Sequence, residues 1–216
     1  MTRESLIVNG LTFARVPLII AWFALAMMQE NTITPQSAGS FWLAFWACAA
    51  MLFSGLTDAW DGKLARKWNV TSTFGKMADP LMDKVFFMFA FPTLTWLVAH
   101  QAESDAHSVL LLVLTIVYMV RDTWVTFIRS IGVIYGADVA AMWLGKVRTA
   151  LSFPGAGWVY MYCCFHRMVP AEWHCAWFYS CYAVEGLLLL LTLYSLYAYT
   201  SVYMPYIRRS LEGGHK

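Results

Sequence analysis

The chain has 216 residues, of which 60 % are hydrophobic and only 13 % charged, with a mean hydropathy of +0.55. Soluble domains carry about 25 % charged residues, so this composition excludes an ordinary water-soluble domain and points to an all-α integral membrane protein. The formal net charge of +2 is too small to imply a nucleic-acid partner, and the length sets a single membrane domain, 1–216, as the expectation.

The opening stretch MTRESLIVNGLTFAR does not read as a cleaved signal peptide, because Arg15 and Pro17 interrupt it before the long apolar run begins. The residues before about Leu11 alternate polar and apolar types, which fits a short interfacial helix on the membrane surface or a disordered tail. Six runs then approach the roughly 20 residues that a membrane-crossing helix needs. They cover about 14–29, 41–60, 80–100, 107–134, 140–166 and 174–204, and predict six transmembrane helices joined by short loops. Trp, Tyr and Phe number 11, 11 and 14, as expected where many helix ends meet a water–lipid boundary.

Lys and Arg set the orientation. The loops near 30–40 and 100–106 have neither. Lys63, Arg66, Lys67 and Lys76 cluster between the second and third runs, Arg129, Lys146 and Arg148 between the fourth and fifth, and Arg208, Arg209 and Lys216 at the end. Only Arg167 lies on the opposite side. The expectation is a multi-pass protein of the cytoplasmic (inner) membrane of the cell, with both termini and both polar motifs facing the cytoplasm. The five cysteines, Cys48, Cys163, Cys164, Cys175 and Cys181, form no CxxC pair, which argues against a disulfide framework. The CCFH…WHC run of Cys163–Cys175 has metal-ligand residue types without tetrahedral-site spacing, and reads as apolar thiols and interfacial histidines.

Chemistry concentrates in TDAWDGKLARKWNVTSTFGKMADPLMDK, residues 57–84. Asp58 and Asp61 are three apart and Asp79 and Asp83 four apart, so each pair shares one helix face. Each pair sits where an apolar run meets the basic loop, on helices that a short connection makes antiparallel neighbours. Four converging carboxylates repel one another unless a cation neutralises them. An all-carboxylate set favours Mg²⁺, Mn²⁺ or Ca²⁺, and a two-metal site suits displacement at phosphorus. Gly62, Ala65 and Gly75 fall on the same faces, where missing side chains admit a ligand. Tight helix packing is the alternative reason for those two glycines. Loop charges paired with Lys63, Arg66, Lys67, Lys76 and Lys84 are the alternative for the aspartates.

The pattern Asp58-x2-Asp61-Gly62-x2-Ala65-Arg66-x8-Gly75-x3-Asp79-x3-Asp83 resembles the signature of the CDP-alcohol phosphotransferase family, with no departure at its eight positions. The resemblance implies a homodimeric membrane enzyme that moves a phosphatidyl or phospho-alcohol group from a CDP-linked donor to an acceptor hydroxyl and releases CMP. By the same resemblance, Asp58, Asp61 and Asp79 would ligate two Mg²⁺ (or Mn²⁺) ions. Asp83 would complete the metal site and act as general base, Gly62, Ala65 and Gly75 would admit the cytidine, and Arg66 would contact the diphosphate.

A second polar cluster follows. VRDTWVTFIRSIGV places Arg121, Asp122 and Arg129 inside an apolar run, and WLGKVRTA places Lys146 and Arg148 at the start of the fifth. GKVRT is not a phosphate-binding P-loop, since the upstream Gly and the Ser/Thr after Lys146 are missing. Basic groups beside a carboxylate site suit a second anionic substrate. Within the family, GKVRT, RDTWVTFIR and NGLTFAR resemble the phosphatidylglycerophosphate-forming bacterial branch, which commonly has Arg-Glu at the Arg121-Asp122 position and Lys where Arg148 stands. This implies CDP-diacylglycerol as donor and sn-glycerol 3-phosphate as acceptor, its phosphate bound by Arg121, Arg129, Lys146 and Arg148. Rival acceptors are inositol phosphate, phosphatidylglycerol, serine, or diacylglycerol with a CDP-choline donor. A cation transporter is the rival of another class, and would spread acidic residues along a transmembrane path. Here they cluster, and the last run adds only Glu185.

Overall fold

The structure, a computed structural model, describes residues 3–30, 38–68, 70, 73–101, 104–137 and 143–212. Within these, the side chains of Asp58, Arg66, residues 73–77 and Asp79 lie outside the description, although their backbone is helical. Six long α-helices make up the described chain: α1 (Arg3–Glu30), α2 (Ala38–Lys67), α3 (Thr73–Gln101), α4 (Asp105–Ile134), α5 (Trp143–Phe165) and α6 (Ala171–Leu211). A single 3₁₀ turn, His166–Met168, links the last two.

Five helices are long and apolar enough to cross a membrane, through Ile7–Gln29, Phe41–Ala65, Leu81–His100, Asp105–Ile134 and Glu172–Leu211. The exception is α5, whose interior carries Ser152, Pro154, Gly155 and Gly157. Those residues lower its hydropathy while letting neighbours come close. A Cβ on Gly155 would stand 3.0 Å from Leu188 and 3.1 Å from Val184 of α6. Facing it, a Cβ on Gly55 of α2 would collide with the Phe153 ring. Small residues at helix crossings replace the hydrophobic drive that lipid cannot supply.

The helices reach further than the apolar runs. α2 continues to Lys67 and α3 begins at Thr73, so both aspartate pairs lie inside helices rather than at a loop. The expected separate interfacial helix is not found: α1 is continuous from Arg3. With no proline before Pro17, nothing breaks those first turns, and Val8 and Thr12 are buried.

α1 packs mainly on α2 and also on α3; α3 packs on α4, α4 on α6, and α5 on α6, α3 and α2. The contacts of α4 with α6 keep a nearly constant offset, from Ser104 with Tyr182 to Arg121 with Ser195 and Trp124 with Thr200. These two helices therefore run parallel. Aromatic rings fill the centre: Trp22 meets Tyr160 edge-on at 5.4 Å, and Tyr118 packs on Phe87 and Phe91 at 5.1 and 4.8 Å. At the end away from the aspartates, His107 Nε2 pairs with Glu185 Oε1 at 2.7 Å with both residues buried. In the Cys163–Cys175 region, His166 Nδ1 bonds the Tyr162 carbonyl and Tyr162 stacks on His166 at 5.0 Å.

Candidate active site

Two groups of charged side chains meet near the ends of the bundle where α2 gives way to α3 and α4 to α5. The first is built by α1, α2 and α3. Asp61 of α2 is buried, and its Oδ2 accepts bonds from Thr12 Oγ1 at 2.8 Å and Arg15 Nη2 at 2.7 Å. Thr12 and Arg15 are three apart, so one face of α1 presents both. Arg15 also reaches toward α3, with Nη1 3.6 Å from Asp83 Oδ1. One guanidinium thus stands between two carboxylates from different helices. The two differ in access: the Asp61 side chain is 4 % exposed and that of Asp83 43 %. The Asp61 carboxylate is closed off from solvent, while that of Asp83 is partly open to it.

Asp58 and Asp79 occupy helical backbone three residues before Asp61 and four before Asp83, hence on the same faces as their partners. Their side chains lie outside the description, as do those of Arg66 and the segment holding Gly75. Gly62 and Ala65 are half-buried on α2. No group of three or more His, Cys, Asp or Glu stands together among the described side chains, a set that lacks Asp58 and Asp79. The donors that are described fit a hard divalent cation in kind, being carboxylate oxygens, and a positive group already sits between them.

The second group lines a cavity of about 760 Å³ between α3, α4, α5 and α6. Asp83 and Lys84 enter it from α3, Arg121, Asp122 and Arg129 from α4, and Lys146 and Arg148 from α5. All four basic residues expected to form the acceptor site share this cavity with Asp83. Among the described residues, five cations face two carboxylates, a formal excess of three positive charges.

Asp122 organises the buried part. Its Oδ1 accepts from Arg121 Nη1 at 2.8 Å and from Arg148 Nη2 at 2.7 Å. It serves as an anchor for two guanidiniums, so it is a poor candidate for a base. Arg121 is further fixed by Ser195 of α6, through Nε at 3.2 Å and Nη2 at 2.6 Å, and lies over the Tyr199 ring at 5.0 Å. Arg148 lies 4.0 Å over the Tyr118 ring. Its Nε and Nη1 are buried and find no hydrogen-bond partner among the described residues. Buried N–H groups are almost always satisfied, so these two nitrogens need water or a bound acceptor. An anion in the cavity would supply it.

Several of these residues were not singled out by the sequence reading. Thr12, Arg15, Ser195 and Tyr199 act on partners 46 to 78 residues away, beyond any local pattern. Arg15 left a signal all the same, as an ionisable residue inside an apolar helix. Gly145 has a plain reason: a Cβ there would lie 2.9 Å from the Tyr199 hydroxyl and 3.4 Å from Arg121 Nη2. The glycine of GKVRT makes room for the arginine.

Fold and site together describe a helical membrane protein with acidic and basic clusters side by side. Residues 5–182 match the model of the CDP-alcohol phosphatidyltransferase family. The chain is 31 % identical over 170 residues to a cardiolipin synthase (CMP-forming) of Streptomyces coelicolor, covering 73 % of this chain and 70 % of that one. It is 28 % identical over 124 residues to the CDP-diacylglycerol–glycerol-3-phosphate 3-phosphatidyltransferase of Escherichia coli K12, covering 55 % and 62 %. The matched stretch is thus less than two thirds of the Escherichia coli protein. The chain belongs to the CDP-alcohol phosphatidyltransferase family and is a membrane-bound transferase of phospholipid biosynthesis.

Proposed function

We propose that the protein transfers a phosphatidyl group from CDP-diacylglycerol to sn-glycerol 3-phosphate, forming phosphatidylglycerophosphate and CMP. The observation that carries this reading is the buried, half-satisfied Arg148 in a five-cation cavity that also contains Asp83. A small alcohol bearing a phosphate would place its charge on Arg148 and its hydroxyl toward the carboxylate. Arg121, Arg129 and Lys146 add positive charge around that phosphate.

Asp83 is the general base, supported by its exposure and its place on the cavity wall. The acceptor oxygen attacks the phosphatidyl phosphorus, the P–O bond to the CMP phosphate breaks, and the hydroxyl proton passes to Asp83. Gly62, Ala65 and Gly75 leave space for the cytidine, and Arg66 contacts the diphosphate. Asp58, Asp61, Asp79 and Asp83 would hold two Mg²⁺ or Mn²⁺ ions, whose charge would offset that of the diphosphate. Thr12 and Arg15 hold the Asp61 carboxylate for that task.

In this reading the chain is one six-span domain of the inner membrane, working as a homodimer with its site on the cytoplasmic side. The deciding experiment supplies purified protein with CDP-diacylglycerol, Mg²⁺ and a panel of acceptors, and detects CMP. Glycerol 3-phosphate should drive CMP release, and EDTA should abolish it until Mg²⁺ or Mn²⁺ is restored. Release with serine or inositol phosphate instead, or full release without metal, overturns the reading.

A further inference from the structure

The two buried arginines of the cavity share one aspartate but are not equivalent. Arg121 gives Nη1 to Asp122 and both Nε and Nη2 to Ser195, so each of its three side-chain nitrogens already has a partner. Arg148 gives Nη2 to Asp122 at 2.7 Å, and its Nε and Nη1 are the nitrogens that still need an acceptor. Arg121 therefore serves as an anchor. Arg148, only 3 % exposed, is the guanidinium left to meet a ligand.

A flat cation held by one bond in its own plane can still tilt about that bond. The second constraint on Arg148 comes from Tyr118 of α4, whose ring centre lies 4.0 Å from the guanidinium carbon. A guanidinium donates hydrogen bonds in its plane and stacks through its face, so the ring holds the group without using a donor. Asp122 fixes Arg148 within the plane, and Tyr118 fixes the tilt of that plane. Together they aim Nε and Nη1.

The ring is itself held. Tyr118 is buried and packs on Phe87 and Phe91 of α3 at 5.1 and 4.8 Å. Phe87 follows Asp83 by four residues and Phe91 follows Phe87 by four, so all three lie along one face of α3. Asp83, Phe87, Tyr118 and Arg148 line the same cavity. The face of α3 that carries the proposed base thus also seats the ring on which Arg148 rests. A continuous run of packed side chains, Phe87 to Tyr118 to Arg148, joins the two ends of the acceptor site.

We infer that Tyr118 is a positioning residue for the acceptor, its ring face fixing the Arg148 guanidinium, and through it the acceptor phosphate, in register with Asp83. This rests on the phosphatidyltransferase reading and adds to it a residue that touches none of the reacting atoms. The working part of Tyr118 is the negative face of the ring, not its hydroxyl. A side chain that merely fills space depends on its volume, whereas a ring that holds a cation depends also on the charge of its face. That difference can be measured.

The test uses the full chain in phosphatidylcholine vesicles with Mg²⁺ and reads initial-rate CMP release while CDP-diacylglycerol and glycerol 3-phosphate are varied in turn. Tyr118→Phe is compared with the same variant carrying the 4-fluoro, 3,5-difluoro or 3,4,5-trifluoro form of that phenylalanine. These rings keep nearly one shape while fluorine draws charge from the face. Tyr118→Phe should keep the acceptor KM within about threefold of wild type. Successive fluorines should raise it stepwise, to about tenfold for the trifluoro ring, with the donor KM held within about twofold. Tyr118→Leu, which removes the ring, should reach about the same tenfold, and should add nothing further in an Arg148→Met background, where no guanidinium is left to hold. If Tyr118→Leu does not fold, the fluorine series decides alone. An acceptor KM that ignores the fluorine count, donor and acceptor KM rising together, or full additivity with Arg148→Met overturns the inference and leaves the acceptor reading in place. No CMP release by the wild-type chain with glycerol 3-phosphate overturns the acceptor reading and this inference with it.

Discussion

Replacing Arg148 by Lys isolates the contribution of the guanidinium fork. Lys keeps the positive charge but offers a single ammonium in place of two edges. In the structure one edge, Nη2, is spent on Asp122 at 2.7 Å, and Nε and Nη1 are left for the ligand. A phosphate bound there would receive a charge-assisted bond worth about 1.5–3 kcal/mol net. A single ammonium cannot occupy the Nη2 position at Asp122 and the ligand-facing position at once, so about one such bond is lost. At 1.4 kcal/mol per factor of ten, that predicts a rise in acceptor KM of roughly 10- to 100-fold. The KM for CDP-diacylglycerol should hold within about twofold, because the donor is placed on the α2–α3 side. Asp122 stays paired with Arg121 at 2.8 Å, so the melting temperature in detergent should change little. The assay is initial-rate CMP release with each substrate varied in turn. An unchanged acceptor KM, or a rise confined to the donor KM, refutes the placement of the acceptor phosphate on Arg148.

The carboxylates and helix contacts give three more expectations. Asp83→Asn should cut kcat by roughly 10²–10⁴-fold with donor affinity nearly intact, whereas Asp61→Asn should raise the Mg²⁺ concentration needed for half-maximal rate; near-normal turnover of Asp83→Asn at saturating Mg²⁺ would assign the proton to another group. Gly145→Ala should push Tyr199 and Arg121 apart at an overpacking cost of about 1–3 kcal/mol, seen as a lower Tm together with a raised acceptor KM; wild-type values for both would show that the close approach is unimportant. Ser72→Cys, in a chain stripped of its native cysteines, should react with a membrane-impermeant thiol reagent only from the cytoplasmic side, and labelling of intact cells would invert the proposed topology.

What the sequence disclosed follows the range of each interaction. The shared faces of Asp58 with Asp61 and of Asp79 with Asp83 are properties of one helix each, so spacing alone reveals them. The apolar runs located all six helices for the same reason, but not their ends. α2 and α3 extend past the apolar stretch because the last turns of α2 and the first turns of α3 stay helical while their side chains turn polar, and hydropathy has no signal for that. α5 shows the converse, a packed helix whose glycines and Pro154 keep its hydropathy low. Arg121, Arg129, Lys146 and Arg148 stood out as cations in apolar context, and the structure brings them to one cavity. Their anchors were hidden, since Ser195 lies 74 residues from Arg121 and Arg15 lies 46 from Asp61.

The contact between Asp122 and Arg148 changes how two departures from the related branch are understood. That branch commonly has Glu where this chain has Asp122, and Lys where it has Arg148. Counted along the chain these are separate substitutions, 26 positions apart, but in space they are the two ends of one 2.7 Å contact. The acid is shorter by a methylene and the base is longer, so a Glu–Lys pair would cover about the same span between α4 and α5. Either one made alone would leave a gap or a crowd at the junction, whereas exchanging both restores the span with a different tip. What differs between the two solutions is the tip itself, a rotating ammonium in one and a flat, two-edged cation in the other. Selection on how an acceptor phosphate is gripped could therefore proceed at this junction without moving either helix.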